Sequence, residues 1–185
     1  MVQSNVKSTF STFEVSVLTG FTKNMLDYLL RAEIFAPSGR IGRGVRREYT
    51  YADVVILRAL NTICAGKGQI LHLRRSLAAL RDEIGPLRPG QRLERLMFVL
   101  GDKLCLRTSV DGGRELRSGQ MTLGFFVDLA AVCRGVADCV IPVGAGNDFR
   151  LTDDVLIAAH AEKVAFWKPV KRARDKLKAR AAGAA

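Results

Sequence analysis

Residues 11–33 read STFEVSVLTGFTKNMLDYLLRAE and predict two short helices joined by a tight turn. Ser11 or Thr12 can cap the first helix, because a side-chain oxygen at that position accepts a hydrogen bond from a free backbone N–H. Gly20 ends this helix, since glycine readily adopts the left-handed conformation that a tight turn needs. Thr22 can then cap a second helix that runs to about residue 33. The pattern is that of a helix-turn-helix.

The second helix is predicted to be amphipathic. Its apolar stripe contains Met25, Leu26, Leu29 and Leu30, while the first helix carries Phe13, Val17 and Leu18 on one face. Its polar face contains Lys23, Asn24, Asp27, Tyr28 and Arg31. In a DNA-binding helix-turn-helix this face enters the major groove, whereas in an ordinary amphipathic pair it is only solvated.

A glycine-rich, basic segment follows the second helix and favours the DNA-binding interpretation. Residues 37–49, PSGRIGRGVRREY, here called the wing segment, hold three glycines and four arginines. Glycines permit a tight reversal of the chain, and guanidinium groups can hold phosphates in a bidentate manner. The predicted DNA contacts are Thr22, Lys23, Asn24, Tyr28 and Arg31 in the second helix and Arg40, Arg43, Arg46 and Arg47 in the wing segment. Tyr49 is expected to pack at the base of the wing, within reach of a phosphate.

Two further helices and a linker are predicted after the wing segment. Thr50 can cap a helix over residues 51–65, and Gly66-Lys67-Gly68 separates it from another over residues 69–81. The first is expected to bury Val54, Val55, Leu57, Leu60 and Ile63, and the second Ile70, Leu73, Leu77 and Leu80. Two prolines and two glycines in residues 85–90 indicate a linker, assigned to residues 85–92.

The charge of the chain points to a polyanionic partner. The 185 residues carry a formal net charge of +11, which makes nucleic acid the first candidate. Residues 1–80 contribute +6, residues 81–162 contribute −2 and residues 163–185 contribute +7. A basic N-terminal module, a neutral domain and a cationic tail are therefore expected.

The C-terminal half is predicted to be a small α+β unit. Residues 96–100 and 103–107 read as strands around a Gly101-Asp102 turn, and residues 111–116 as a further hairpin. An apolar helix is expected from Met121 to about Val136, packed on the sheet and in part available for dimerisation. A basic helical tail would then be broken or kinked near its start by Pro169. This tail is either a partly disordered end or a source of nonspecific DNA affinity.

The order of these elements resembles the MerR family of bacterial transcription regulators over residues 8–82. The landmarks are Phe13-Glu14-Val15 through Gly20, Leu26-Asp27-Tyr28, Ile34-Phe35-Ala36-Pro37, Arg46-Arg47-Glu48-Tyr49-Thr50 with Asp53, and Ala65-Gly66. The resemblance implies a winged helix-turn-helix that binds a pseudo-palindromic operator in double-stranded DNA as a homodimer, with RNA polymerase as a further partner. Asp27 stands where many members have an arginine, and it is expected to accept from cytosine N4 or to orient Arg31 at i+4.

The predicted fold is thus mainly α with small β elements. It comprises a MerR-like winged helix-turn-helix at 8–84, the linker, an α+β dimerisation or effector domain at 93–162 and a basic tail at 163–185. No catalytic constellation, metal site or cofactor motif is found, so a non-enzymatic regulator without cofactor is expected. Without an apolar stretch typical of a signal peptide or a membrane span, the protein is expected in the cytoplasm, associated with the nucleoid. Its four cysteines are expected to be reduced and mostly buried. The alternatives are an excisionase-like or nucleoid-associated protein that bends DNA, and a protein-interaction or ligand-binding adaptor without DNA affinity.

Overall fold

The computed structural model of the chain describes residues 6–40, 46–64, 70, 73–100, 103–108 and 126–182. Within these ranges the fold is mixed α/β and mainly helical, which confirms the predicted composition of secondary structure. The helices are α1 (Thr12–Thr19), α2 (Lys23–Arg31), α3 (Tyr51–Cys64), α4 (Arg74–Ile84), α5 (Leu129–Ala137) and α6 (Asp153–Ala182). The strands are β1 (Arg95–Leu100), β2 (Lys103–Thr108), β3 (Phe126–Asp128), β4 (Val140–Pro142) and β5 (Phe149–Leu151).

Local signals set both ends of α1 and the start of α2 as the sequence predicts. Ser11 is the N-cap of α1, and Gly20 follows that helix with a φ of 78°. The Thr22 hydroxyl accepts a hydrogen bond from the Met25 N–H at 3.2 Å and so caps α2. Helix α2 ends at Arg31, two residues before the predicted limit, and Glu33 has a positive φ of 53°.

Helix α3 lies at the centre of the core. All five residues predicted to be buried in it are buried, and so are Tyr51 and Ile56. The four apolar residues predicted to be buried around α4 are buried as well, although the α-helix itself begins only at Arg74. Gly85 ends α4 with a φ of 63° and begins the segment predicted as a linker.

The larger sheet has the antiparallel strand order β2-β1-β3. Strands β1 and β2 form the predicted hairpin, in which Leu100 pairs with Lys103. The hairpin predicted for residues 111–116 lies outside the described residues. Met97 on β1 is fully buried, which places one face of this sheet against the core.

The helix predicted from Met121 to Val136 is wrong over residues 126–128. Those residues form β3, which pairs with Leu96–Phe98 of β1, and α5 begins only at Leu129. The Asp128 side chain accepts from the Ala130 N–H at 2.9 Å, so this aspartate caps the helix and ends the strand. The start of the predicted helix, residues 121–125, lies outside the described residues.

A second hairpin, β4–β5, was not predicted. Val140 pairs with Leu151 and Pro142 with Phe149 across a turn in which Gly144 has a φ of 71°. Strand β5 also binds the N-terminal segment, since Lys7 and Phe149 exchange backbone hydrogen bonds at 2.9 and 2.8 Å. The hairpin thereby ties the C-terminal half of the chain to the entrance of α1.

Helix α6 is 30 residues long and continues through Pro169, so the predicted break at this proline is wrong, while a kink there stays a prediction. A proline removes one backbone N–H from the helical hydrogen bonds, and the turns on either side can still continue the helix. Helix α6 packs along α1, where the Ser16 hydroxyl donates to Glu162 Oε1 at 2.5 Å. Among the described residues, none of the helices combines the length with the apolar character that crossing a bilayer requires.

The buried side chains form one cluster that extends across the predicted linker. Phe10 stacks on Phe149 with ring centroids 4.3 Å apart, and both rings are fully buried. The Tyr51 hydroxyl donates to the Cys133 carbonyl at 3.2 Å, and Arg58 donates to the Gly135 carbonyl at 2.9 Å. Helix α3 is thus attached directly to α5, while the domain limits at 84 and 93 stay a prediction.

Candidate nucleic-acid interface

The α1–α2 pair is held rigidly at its turn. The Asn61 amide on α3 donates to the Thr19 carbonyl at 3.0 Å, next to Gly20. A Cβ at Gly20 would lie 2.8 Å from Asn61 Nδ2, so this position needs glycine for space as well as for its positive φ. The Ser16 hydroxyl also contacts the Phe21 carbonyl at 2.7 Å. These contacts fix the direction in which α2 leaves the core.

Helix α2 presents a polar face to solvent. Leu26 and Leu29 are buried. Asn24, Tyr28 and Arg31 are exposed on the solvent side of the helix and are here called the α2 polar face. Thr22 at the start of the helix is exposed too. Four of the five residues predicted in this helix as DNA contacts therefore remain accessible.

Lys23, the fifth, is engaged within the protein. Its Nζ lies 2.7 Å from Asp27 Oδ2 and 4.3 Å from the centre of the Phe166 ring on α6. Arg47 of the wing segment binds the other oxygen of the same carboxylate, Asp27 Oδ1, at 2.5 Å. One carboxylate thus joins the start of α2, the wing segment and, through Lys23, the long C-terminal helix.

This arrangement corrects the roles predicted for Asp27. Its side chain does not orient Arg31, whose Nε donates instead to the backbone carbonyl of Asp27 at 3.3 Å. Partial burial by itself raises the pKa of Asp27, but the hydrogen bonds and charges of Lys23 and Arg47 outweigh it, so this pKa lies below the usual 3.8. A carboxylate that already binds two cations is poorly available to accept from a cytosine.

The ends of the wing segment are bonded to each other and to the core. The Glu48 N–H donates to the Arg40 carbonyl at 3.1 Å, and Tyr49 exchanges backbone hydrogen bonds with Phe10 at 2.8 and 2.9 Å. A Cβ at Gly39 would lie 2.4 Å from the Glu48 carbonyl oxygen, so the two chain segments approach too closely for any other residue. Arg40 and Arg46 are exposed on this base, and Arg43 lies outside the described residues.

Tyr49 packs at the base of the wing segment as predicted, but it is buried, with 2% of its surface exposed. Burial also raises the pKa of its hydroxyl above the usual 10.0. A phosphate contact would require an accessible hydroxyl, so the predicted contact with DNA is not available to this side chain.

Asp53 is the residue whose importance the sequence analysis missed, beyond its place among the family landmarks. Its carboxylate is fully buried and accepts from the Ser38 N–H and Oγ at 2.8 Å each, the Thr50 N–H at 2.9 Å and Arg81 Nη2 at 2.6 Å. It therefore joins the start of the wing segment, the start of α3 and helix α4. The signal was the Thr50-x-x-Asp53 spacing, in which each residue's side chain accepts from the other's N–H, as in a capping box.

The four cysteines form no disulfide. All four are free, Cys64 and Cys133 are buried, and Cys105 and Cys139 are half-buried. Burial raises the pKa of Cys64 and of Cys133 above the usual 9.0, which keeps both as neutral thiols near neutral pH.

In comparisons with known proteins, neither a protein-family model nor a curated protein matches the chain. The functional interpretation therefore depends on where the structure places the predicted residues. Asn24, Tyr28 and Arg31 are accessible on α2, and Arg40 and Arg46 are accessible on the wing segment. The ion pair between Asp27 and Arg47 holds these two elements side by side.

Proposed function

We propose that this protein is a sequence-specific DNA-binding transcription regulator of the MerR type, with a winged helix-turn-helix. The observation that carries the proposal is the exposed α2 polar face beside exposed arginines of a wing segment whose two ends are bonded together. In such an arrangement the helix enters the major groove and contacts base edges, and the adjacent cationic loop contacts phosphates. Base-edge contacts supply specificity, and phosphate contacts set the position on the duplex.

The residue types on the two elements fit these roles. Asn24 has an amide that can form two hydrogen bonds with the edge of an adenine, and Arg31 can bind guanine or a phosphate. Tyr28 is 38% exposed and can donate its hydroxyl to a phosphate. Arg40 and Arg46 can bind phosphates of the DNA backbone. Lys23 and Arg47 instead bind Asp27 and so hold α2 and the wing segment in position.

A homodimer on a pseudo-palindromic operator is part of the same proposal. The helix predicted to pack on the sheet and in part to serve dimerisation has its α5 side chains in the core, among them Leu129 and Val136, and the dimer interface itself stays a prediction. Helix α6 offers a different surface, since Ile157 and Val164 are 59% and 52% exposed seven residues apart on one face. Two exposed aliphatic side chains two helical turns apart support pairing with a second copy.

The proposed setting is the bacterial cytoplasm, with the nucleoid as the location and RNA polymerase at the same promoter as the further partner. One module reads only one half-site, and a dimer gains affinity and specificity by engaging two half-sites. The positive ends of the chain, residues 1–80 and 163–185, favour association with DNA of any sequence and steer the search for the operator.

In vitro selection of duplexes from a random pool tests this function. We expect enrichment of a motif with two inverted half-sites spaced by about one helical turn or a multiple of it. Enrichment of no motif, together with binding only at low salt, would refute sequence-specific regulation in favour of an architectural DNA-bending protein. Absence of binding at low salt would refute DNA recognition altogether and leave the adaptor alternative.

A further inference from the structure

A cavity of about 310 Å³ lies where α1, the start of α2, the wing segment and α6 meet. One part of its wall is apolar and is formed by Phe13, Leu156 and Ala159. The other part carries basic groups, namely Lys23, Arg46, His160 and Lys163. Its volume is at the lower end of the range for small-molecule sites, which are typically apolar with a few placed polar groups.

The charge inside the cavity is not balanced by the protein. Glu14 is the carboxylate among the lining residues, and both of its oxygens are occupied, by Lys7 and by the Ser11 N–H. Neither Arg46 nor Lys163 has an ion pair or hydrogen bond among the described residues, and both line the cavity and are exposed to solvent. Two cations that have no partner in the described part of the chain, beside an apolar wall, are arranged to receive an anion that carries an apolar body.

We propose that this cavity binds a small organic anion, a carboxylate or phosphate monoester attached to an aromatic or aliphatic group. Arg46 and Lys163 bind the anionic group, His160 offers a further hydrogen bond, and the apolar body packs on Phe13 and Leu156. The phosphate of a DNA backbone has the same chemistry as the anionic group but lacks the attached apolar body. The apolar wall therefore favours a small molecule as the occupant.

Bound anion and DNA compete, and this consequence rests on the proposed function. Arg46 belongs both to the cavity and to the wing surface proposed for DNA, and Lys23, the first residue of α2, lines the cavity and binds Asp27 one turn further along the same helix. An anion that neutralises Arg46 removes a phosphate contact. By linkage, the anion weakens DNA binding by the same factor by which DNA weakens anion binding.

Titration of the full chain with phenyl phosphate in the absence of DNA tests the site. The single tryptophan of the sequence, Trp167, can report binding through its fluorescence. Its ring centroid lies 5.2 Å from that of Phe166, and the Phe166 centroid lies 6.0 Å from that of Phe13, which lines the cavity. We expect a saturable change in tryptophan fluorescence with phenyl phosphate. Inorganic phosphate should bind more weakly, and benzyl alcohol, which has no charge, should not bind detectably.

Two matched variants locate the binding. Lys163→Ala should weaken phenyl phosphate binding about tenfold, since it removes one charge-assisted contact. Lys168→Ala removes the same charge from an exposed position on the same helix outside the cavity lining, and it should leave the affinity unchanged. Both positions are exposed, so neither substitution threatens folding.

The proposal is overturned by the absence of a saturable signal, by equal affinity for benzyl alcohol or inorganic phosphate, or by equal effects of the two variants. These outcomes do not depend on DNA, so they are separate from a failure of the proposed function. If no duplex binds in the selection experiment but phenyl phosphate binds with the expected dependence on Lys163, the site stands and only the competition with DNA is refuted.

Discussion

Replacement of Asp53 by Asn removes one charge from the centre of the proposed DNA-binding region while keeping the shape of the side chain. The amide has one acceptor oxygen, so its NH₂ group must face two of the four donors that now bind the carboxylate. The least costly orientation points the NH₂ group at Ser38 Oγ, which can turn to accept, and at Arg81, which cannot. The backbone N–H groups of Ser38 and Thr50 then keep their acceptor.

The expected cost follows from what Arg81 loses. Its Nη2 donates to Asp53 Oδ1 at 2.6 Å, and its Nε is buried without a hydrogen-bond partner among the described residues. Hydrogen bonds to charged groups contribute about 1.5–3 kcal/mol, and removal of one member of a buried ion pair costs about 3–5 kcal/mol. Because Arg81 remains partly exposed, we expect Asp53→Asn to lower the free energy of unfolding by about 3 kcal/mol, and the melting temperature by about 6–12 °C.

Urea denaturation followed by circular dichroism measures this difference, with Glu83→Gln as the matched control. Glu83 makes an ion pair with Arg95 at 2.9 Å, but its side chain is 52% exposed, so the same change from carboxylate to amide should cost less than about 1 kcal/mol. If the two variants lose the same stability, the buried carboxylate is not the junction between the wing segment and the core that the structure implies.

Three further predictions concern the proposed interface. Arg46→Ala should weaken binding to all DNA sequences and reduce the slope of log K against log salt by about one. Arg134→Ala on α5 is the control and should leave the slope unchanged. A salt titration that gives the wild-type slope for Arg46→Ala would exclude this phosphate contact. Asn24→Ala should change the preferred base at one position of each half-site while the salt slope is retained, and an unaltered selected motif would contradict base readout by this side chain. Asp27→Asn should destabilise the protein near neutral pH because the folded-state pKa of this carboxyl is lowered. The ion pairs stabilise the folded state fully above the usual carboxyl pKa of 3.8, and this contribution is lost as the pH falls through the lower folded-state pKa. Denaturation at a series of pH values should therefore show the two proteins converging in strong acid, and a constant difference down to the lowest pH would rule out the ion pairs as its source.

Elements bounded by local signals were predictable. The cap at Thr22, the left-handed Gly20 and the apolar spacing within α3 act over one or two helical turns, and the structure has each of them as predicted. The composition of the polar face of α2 was predictable for the same reason, because the period of a helix decides which residues share a side.

The sequence by itself determined which segments become the α1–α2 pair, the buried helix α3 and the β1–β2 hairpin, because those choices depend on hydrogen bonds and periodicity between near neighbours. Only the tertiary structure decided which partners the charged and polar side chains bind. Asp27 and Arg47 are twenty residues apart, and Ser16 and Glu162 are 146 residues apart. No spacing in the sequence distinguishes such partners from the other charged residues, since their pairing depends on which surfaces the core brings together. Residues 126–128 form a strand because the fold places them beside the edge of β1, with which they pair. Asp128 caps α5, so the helix begins only at Leu129.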